Sequence, residues 1–384
     1  MLRFSRRERI AGLAAFVALA CGGRTAAHGD DDADSDGHGD TRVDGSSVDD
    51  DGGGEAGHTT DPHTTDPNDD DGDPMTDAGD EASSVGSSEA SDDDSGGGGP
   101  QDPLEGMGDP EMVGSGFSFA EGPVWVAELG ALLFTDIAVD AILCFDPQTG
   151  DIEPFIQGSG AHANGLGLDG LGNLLMCEGG HRRVTRRSAD GTVDVLADTW
   201  AGAPFNAPND VAVHASGTIF FTDPTYGANP DLGGSPPVLD FQGLYRIAVD
   251  GEVTLVDDTL EQPNGVLVSP DGTTLFVADT PSRIVVAYPL DDDAMPGSGI
   301  PWFEVEGGGD GMTMDEDGNL YVASADGIEV WQPDGSARWG TISMPDVPTN
   351  CAFGGDDLTT LYVTTIEGFL FRARTDLKGR CLVD

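Results

Sequence analysis

Basic residues are scarce in this chain of 384 residues, which has 17 Lys and Arg against 70 Asp and Glu and a formal net charge of −53. A protein that binds nucleic acid needs Lys and Arg to neutralise the phosphates. The shortage of basic residues therefore excludes nucleic acid as a partner. The excess of acid favours high solubility and says nothing about the fold.

Long apolar runs are missing from the N-terminal region. The run 10–20 spans 11 residues, whereas a membrane-spanning helix needs about 20. Several arginines precede it and Cys21 follows it, so residues 1–20 are predicted to be an export signal. A cysteine placed directly after small and apolar residues resembles the lipobox of bacterial lipoproteins, which implies lipidation of Cys21. A plain secretory signal is the alternative.

Large apolar side chains are almost absent from residues 22–111, which hold 28 acidic residues and 2 arginines. Such a segment cannot bury enough surface to offset its chain entropy. Residues 21–111 are therefore predicted to be a disordered linker, followed by a folded domain over 112–384. We expect an exported lipoprotein of the bacterial cell envelope, a monomer that touches the membrane only through its lipid.

Several catalytic motifs are absent. The chain has no phosphate-binding loop, no His-Glu-x-x-His and no Gly-x-Ser-x-Gly. Residues 165–170 have the three glycines of a dinucleotide fingerprint, but they lie on a predicted strand that leads into a hairpin, without the required helix. The spacing of Cys144, Cys177, Cys351 and Cys381 matches no zinc motif, and free thiols are favoured over disulfides.

What the chain does contain is a sixfold repeat. Each repeat opens with a polar residue and continues with alternating apolar positions, a turn and a second apolar run. We call these the ring residues: Glu121, Asn164, Asn209, Asn264, Asp310 and Asn350, with spacings of 43, 45, 55, 46 and 40. This period is typical of a propeller blade, and Asp-Gly turns between the runs indicate hairpins. The sequence predicts an all-β, six-bladed β-propeller.

A closed ring of blades would aim the ring residues at one axis. They offer only carboxylate and amide oxygens, which suit calcium or magnesium better than zinc or copper. Glu121 and Asp310 carry two negative charges that a cation would neutralise, since an unpaired buried carboxylate is costly. Asn209 and Asn264 add neutral oxygens. Asn164 and its equivalent in the last repeat are expected mainly to hydrogen-bond strand ends.

Short phrases recur in a fixed order along the folded part. They are Glu121-Gly122-Pro123-Val124-Trp125, Ala163-Asn164-Gly165-Leu166, Pro208-Asn209-Asp210-Val211, Phe221-Thr222-Asp223-Pro224, Pro263-Asn264-Gly265, Asp310-Gly311-Met312 and Pro348-Thr349-Asn350. Through them, residues from about 115 to 375 resemble the gluconolactonase family, which includes regucalcin (senescence marker protein) and luciferin-regenerating enzyme. The resemblance implies a six-bladed propeller with one divalent cation at the channel mouth.

The same resemblance implies site residues and an activity. Glu121, Asn264 and Asp310 would bind the cation, with Asn209 beside them, and Asp310 is the candidate general base. The implied cofactor is calcium, with magnesium, manganese or zinc as alternatives. The implied reaction is the opening of a small-molecule sugar lactone to its hydroxy acid: the cation polarises the carbonyl, and Asp310 or a cation-bound hydroxide activates the attacking water.

Asn164, Glu178 and Tyr226 are candidate substrate contacts. The second repeat departs from the family, because the chain reads Cys-Glu-Gly-Gly-His from residue 177 where the family often reads Cys-Glu-His-Gly. A substrate-facing histidine is thus lost or displaced, which leaves the choice of substrate open, and His181 is expected on the surface. Tyr226 and the insertion 228–242 either form a lid over the channel mouth or make an ordinary surface loop.

Two other functions suit the same repeat. One is a hydrolase of another ester or of an organophosphate on the same propeller. The other is a non-catalytic propeller that binds sugar or protein at the cell surface. Replacing Asp310 by Asn distinguishes them, because a binding module would keep its affinity whereas a hydrolase would lose turnover.

Overall fold

The computed structural model of the protein describes residues 101–380. The predicted export signal, Cys21, the linker as far as residue 100 and Cys381 lie outside the described residues. The described fold includes residues that precede the predicted domain start at 112. Leu104 and Met107 pack against apolar side chains of the last two blades, so these two apolar residues of the acidic segment belong to the folded part.

The described residues are almost entirely strands and turns. The helical elements among them are two short 3-10 turns, Tyr226–Ala228 and Pro230–Leu232. No helix within residues 101–380 is long and apolar enough to cross a membrane. The predicted all-β class is confirmed.

Six antiparallel sheets of four strands form the blades. Blade 1 consists of β2 (Ala120–Val126), β3 (Ala131–Asp136), β4 (Ala141–Phe145) and β5 (Ile152–Gln157). Blade 2 consists of β6 (Ala163–Leu168), β7 (Leu174–Glu178), β8 (Arg183–Arg187) and β9 (Val193–Ala197), and a two-stranded ribbon follows it, β10 (Thr199–Trp200) with β11 (Ala203–Pro204). Blade 3 consists of β12 (Val211–Val213), β13 (Ile219–Asp223), β14 (Gly243–Ile247) and β15 (Val253–Asp257).

The remaining blades follow the same order from the axis outward. Blade 4 consists of β16 (Pro263–Val268), β17 (Thr274–Asp279), β18 (Ile284–Pro289) and β19 (Ile300–Glu304). Blade 5 consists of β20 (Gly309–Met314), β21 (Leu320–Ser324), β22 (Gly327–Trp331) and β23 (Arg338–Ile342). Blade 6 consists of β24 (Pro348–Gly354), β25 (Thr360–Thr365) and β26 (Phe369–Arg374), and its outermost strand is β1 (Glu111–Ser115).

The ring is closed. The first strands of successive blades contact one another all the way round, including β24 of blade 6 with β2 of blade 1. The closure uses both ends of the fold, because β1 pairs antiparallel with β26, and Arg372 there lies 2.9 Å from the Glu111 carboxylate. The predicted six-bladed propeller is confirmed.

Apolar side chains fill the spaces between blades. One cluster joins Val124 and Leu133 of blade 1 to Leu166 and Leu174 of blade 2. Acidic turns connect the strands without needing a metal: Oδ1 of Asp169 accepts hydrogen bonds from the Leu171 and Asn173 amides. The Asp-Gly turns therefore have the structural role expected of turn residues.

Candidate active site

The first strand of most blades carries an irregularity where its ring residue lies. The pairing register shifts between Glu121 and Val124 in blade 1, and between Gly309 and Met312 in blade 5. Blades 2, 4 and 6 show equivalent shifts. A bulge changes the direction of a side chain relative to the regular pleat. It directs the ring residues toward the axis at one end of the channel.

A pocket of about 300 Å³ opens at this end of the channel. Five of the six ring residues line it: Glu121, Asn164, Asn209, Asn264 and Asp310. The sixth, Asn350, lies behind the lining and donates a hydrogen bond from its side-chain nitrogen to Oε2 of Glu121 at 3.3 Å. The structure thus brings together the four residues predicted to bind a cation.

Glu121 is 4% exposed and has few partners. Its Oε2 also accepts a hydrogen bond from the Gly122 amide at 3.0 Å. Burial, with a contribution from the charge of Asp210, raises the pKa of Glu121 to about 7, although the bonds from Gly122 and Asn350 act in the opposite direction. Glu121 is therefore poised to lose its proton near neutral pH, and more readily beside a cation.

Asp310 is the least satisfied group of the pocket. Its Oδ1 is buried and has no hydrogen-bond partner. Burial raises the pKa of Asp310 well above its usual range, and the charges of Glu121 and Asp210 add to the shift, while the Asn264 amide partly offsets it. Among residues 101–380, no Lys, Arg or His forms an ion pair with Asp310 or Glu121.

Asp210 adds a third acidic group that the sequence reasoning missed. Its carboxylate accepts hydrogen bonds from the Val211 amide at 2.9 Å and from the Val266 amide of the neighbouring blade 4 at 3.0 Å. Burial raises the pKa of Asp210 to about 6 despite these bonds. The signal was present in the repeat, because Asp210 follows a ring residue at a place where four other repeats have glycine.

Two ring asparagines, Asn164 and Asn264, link neighbouring blades through their main chains and line the pocket with their side chains. The backbone carbonyl of Asn164 accepts a hydrogen bond from the Thr135 hydroxyl of blade 1, and that of Asn264 accepts one from the Thr222 hydroxyl of blade 3. Each thus joins two neighbouring blades through its main chain while its side chain lines the pocket. Asn164 therefore makes the expected strand-end hydrogen bond with its main chain, and its side-chain amide remains available to a ligand.

The insertion after blade 3's second strand reaches the pocket. Tyr226, Gly227 and Leu232 belong to the lining. Arg182, which follows β7 in the second blade, hydrogen-bonds the backbone carbonyls of Ser235 and Pro236. Tyr226, predicted as a substrate contact, thus lines the pocket, and Leu232 of the insertion lines it as well.

Glu178 lies outside the pocket lining. Its carboxylate accepts hydrogen bonds from Arg183 Nε at 2.7 Å and from the Thr185 hydroxyl at 2.6 Å, and Nδ1 of His181 lies 2.8 Å away. This network occupies the oxygens that a substrate would need. The structure does not bring Glu178 together with the other predicted substrate contacts, and it places His181 at the surface as expected, with its side chain 38% exposed.

His162 lines the pocket, and the sequence reasoning did not single it out. Its Nδ1 lies 2.8 Å from the Ile137 carbonyl, so that nitrogen carries the proton and donates it. Its backbone amide donates to Asp140 at 2.8 Å, which fixes the loop. The pocket therefore has a histidine, but it comes from the loop before β6 and not from the Cys-Glu phrase. Its place two residues before a ring residue was the available signal.

The donor set of the pocket fits a hard divalent cation. Two carboxylates with raised pKa values, one of them with an unpartnered oxygen, are joined by two amides, and all are oxygen donors. Within residues 101–380 no group of three or more His, Cys, Asp or Glu side chains is arranged to hold a metal. A cation here would thus depend on amide oxygens as well as on Glu121 and Asp310.

Comparison with known proteins is consistent with this arrangement. Residues 119–367 match the family model described as the SMP-30/Gluconolactonase/LRE-like region. A gluconolactonase of Zymomonas mobilis is 30% identical over 300 residues, which cover 70% of this chain and 82% of that protein. A diisopropyl-fluorophosphatase of Loligo vulgaris is 30% identical over 242 residues, which cover 59% of this chain and 77% of that protein.

A solved structure shows the same likeness in three dimensions. A gluconolactonase of Xanthomonas campestris aligns with this chain at a TM-score of 0.64 and 30% identity. The alignment covers 69% of this chain and 89% of that one. The likeness therefore extends over nearly the whole of the related chain.

Proposed function

We propose that this chain, which belongs to the SMP-30/Gluconolactonase/LRE-like family, is a hydrolase that opens a lactone in the pocket of the ring residues. The gluconolactonases of Zymomonas mobilis and Xanthomonas campestris support this reaction class and suggest sugar lactones as substrates. One observation carries the assignment to this pocket: Glu121 and Asp310 are carboxylates without a basic partner at a cavity large enough for a lactone ring.

A divalent cation is part of the proposal. Glu121, Asn209, Asn264 and Asp310 would hold it, and the unpartnered Oδ1 of Asp310 supports this ligand set. Calcium is the cation we propose, because every donor is a hard oxygen and half of the donors are neutral amides. When bound, the cation supplies Lewis-acid polarisation of the lactone carbonyl.

Asp310 is the proposed general base. Without a cation, burial and the charge of Glu121 raise the pKa of Asp310, so that it keeps its proton. A bound cation would favour the carboxylate form, which is the form that can act as a base. Asp310 takes one proton from the water that attacks the carbonyl carbon. The bond to the ring oxygen then breaks, this oxygen takes up a proton, and the product is a hydroxy acid.

The test is a proton-release assay on the full-length protein after chelation and re-addition of calcium, magnesium, manganese or zinc. We expect a cation to restore hydrolysis of glucono-1,5-lactone or another lactone. Asp310→Asn should lower kcat by at least about 100-fold, the usual contribution of a general base. Calorimetric titration of the variant with the cation, run in parallel, distinguishes loss of the general base from loss of a cation ligand. The matched control is Glu252→Gln, an exposed acid in the turn before β15.

Two outcomes would contradict the proposal. The first is the absence of lactone hydrolysis above the spontaneous rate with every cation. The second is full activity of Asp310→Asn at saturating cation, which would leave Asp310 no role as a base. A protein that binds a sugar with unchanged affinity after this substitution, and turns over no lactone, would be a binding propeller.

Organophosphate hydrolysis is the second candidate. The diisopropyl-fluorophosphatase of Loligo vulgaris favours it, because that relative is as similar in identity as the gluconolactonase. The same pocket would serve, with a phosphoryl oxygen in place of the carbonyl oxygen. Fluoride release from diisopropyl fluorophosphate, compared with lactone hydrolysis under one set of conditions, decides between the two.

We further propose that the enzyme is exported and held as a monomer at a bacterial membrane through a lipid on Cys21. The support is the sequence alone, from the short apolar run, the position of Cys21 and the acidic linker. Such a tether would place the pocket in the envelope space, where a lactone made or taken up outside the cytoplasm is available.

A further inference from the structure

The pocket has polar and apolar residues in its lining, and most of its lining surface is apolar. Five ring residues supply polar atoms, and His162, Tyr226 and Thr280 supply the others. The walls consist of Phe119, Ile137, Ala207, Pro208 and Leu232. None of the lining residues is a Lys or an Arg. The pocket therefore offers a ligand more apolar contact surface than hydrogen-bonding surface.

One part of this wall comes from the insertion that sets the third repeat apart. The spacing from Asn209 to Asn264 is 55 residues, against 40 to 46 elsewhere, and the extra length includes the 3-10 turn Pro230–Leu232. Leu232 and the half-exposed Tyr226 bring the insertion to the pocket. A leucine there is a feature of this chain's own insertion and not of the blade repeat.

Several contacts hold the insertion in place. Gly233 has a positive φ of 75°, and a Cβ on it would stand 2.1 Å from the imidazole of His162, so the loop lies directly against that ring. The Arg182 guanidinium donates hydrogen bonds to the backbone carbonyls of Ser235 and Pro236. The side-chain amide of Asn206 donates a hydrogen bond to the Phe241 carbonyl at 2.9 Å. Leu232 is thus presented to the pocket by a braced loop.

A polyhydroxylated lactone does not suit such walls. Each hydroxyl group that leaves water without a new partner costs free energy, whereas an alkyl or aryl group gains by contact with leucine, isoleucine and phenylalanine. We infer that the pocket prefers a lactone whose ring carries an apolar substituent in place of a sugar's hydroxyl groups. Leu232 is then the specificity-determining residue. This inference rests on the proposed lactone hydrolysis.

Three lactones test the inference with the full-length, cation-loaded protein: δ-decalactone, which carries a pentyl chain, δ-valerolactone, which has no substituent, and glucono-1,5-lactone. We expect kcat/KM for δ-decalactone to exceed that for δ-valerolactone by at least about tenfold, as burial of two or three methylene groups would give. The value for glucono-1,5-lactone should be lower than that for δ-decalactone.

Leu232→Asn keeps roughly the size of the side chain and removes its apolar character. It should reduce the ratio of kcat/KM for δ-decalactone to kcat/KM for δ-valerolactone by about tenfold, mainly by raising KM for δ-decalactone. Leu232 lies in a short surface turn, so the substitution leaves the core intact. The matched control is Leu171→Asn, which changes a leucine 87% exposed in the turn after β6 and should keep the ratio.

The outcomes separate this inference from the proposed function. Lactone hydrolysis with equal values for the three substrates, with glucono-1,5-lactone preferred, or with an unchanged ratio in Leu232→Asn would overturn the apolar preference and leave the hydrolase standing. No turnover of any of the three lactones with any cation would overturn both.

Discussion

Within the described chain, the pocket carboxylates Glu121 and Asp310 lack the basic partner that the buried acid Glu329 has. Glu329 is fully buried and lies 3.1 Å from the Arg338 guanidinium. Glu121 and Asp310 have no such basic partner among residues 101–380. Because two buried negative charges so close together are costly, these carboxylates either take up protons or bind an added cation.

This difference predicts a pH-dependent stability of the cation-free protein. The pKa of Glu121 is raised from 4.5 to about 7, so the folded state keeps a proton that the unfolded chain has lost over this range. The free energy of unfolding should therefore fall as pH rises from about 4.5 through 7, on the order of 1–3 kcal/mol. Asp210 and Asp310 contribute with the same sign.

Calorimetric melting at pH 5, 6, 7 and 8, with chelator and with calcium, measures this pH dependence of stability. Calcium should raise Tm more at pH 8 than at pH 5, because the cation competes with protons for the same oxygens. Glu121→Gln should reduce the pH dependence of the chelated protein, and Asp210, Asp223 and Asp310 should account for the remainder. A calcium effect on Tm that stays constant between pH 5 and 8 would contradict the prediction.

Residue roles were predictable where the repeat makes positions equivalent. Glu121 and Asp310 could be paired from the sequence because each opens its repeat. Glu178 and His162 could not be placed in this way, because their surroundings depend on neighbours far away along the chain or in another loop. Arg183 and Thr185 occupy the oxygens of Glu178, and the insertion packs on His162.

At the scale of the strands, close approach of neighbouring blades explains a second regularity of the repeat. Four ring residues are followed by glycine. In blade 1, a Cβ on Gly122 would stand 2.2 Å from the Asn164 carbonyl oxygen of blade 2, and Gly122 has a positive φ of 48°. In blade 4, a Cβ on Gly265 would stand 2.3 Å from the Asp310 carbonyl oxygen. A side chain at either position would push two inner strands apart.

Gly122→Ala should therefore lower the free energy of unfolding by about 1–3 kcal/mol, from backbone strain and displacement of blade 2. It should also weaken calcium binding, since Glu121 is the preceding residue. Chemical denaturation and calcium titration measure the two effects.

Gly170→Ala is the control for that experiment. Gly170 lies in the hairpin between β6 and β7, has no positive φ, and a Cβ on it would meet nothing within 4 Å. The free energy of unfolding of the Gly170→Ala variant should stay within about 0.5 kcal/mol of that of the wild type. Equal stability of the two variants would show that the inner strands have more room than the structure gives them.

The strands and turns were largely predictable from alternation and Asp-Gly pairs, and the bulges were not. Two-residue periodicity reports which face a side chain occupies, but a bulge breaks that period at one place. The register shift between Glu121 and Val124 is what directs Glu121 to the axis. The insertion was visible as extra length, yet its contact with the pocket through Leu232 depended on packing.

On the scale of the whole molecule, closure of the ring positions the site. Strand β1 precedes blade 1 in the chain and completes blade 6, so the two ends of the propeller are hydrogen-bonded together. Blades 1 and 6 meet in turn at the pocket, where Asn350 donates to Glu121. Disturbing the closure would therefore disturb Glu121, a proposed cation ligand, although β1 itself lies on the outside of the fold.

The proposed anchorage gives a prediction for the full chain. When the protein is expressed in a bacterium with lipoprotein processing, it should sediment with membranes, and mass spectrometry should find acyl chains on Cys21. Cys21→Ser should move it to the soluble fraction with kcat/KM per molecule unchanged, because residues 101–380 hold the pocket. Ser46→Ala, in the linker, is the control. Wild-type protein in the soluble fraction, with an unmodified Cys21, would contradict the anchor.

The sequence alone determined the class, the number of blades and the identity of the polar residues at the channel end, because a repeat places equivalent residues in equivalent positions. It also showed that no repeat has a basic residue at the ring position. Only the tertiary structure decided which oxygens are satisfied, that Asp210 lies near the two carboxylates, and that most of the pocket lining surface is apolar. These properties arise between blades and loops far apart in the chain, where packing and burial set the energies.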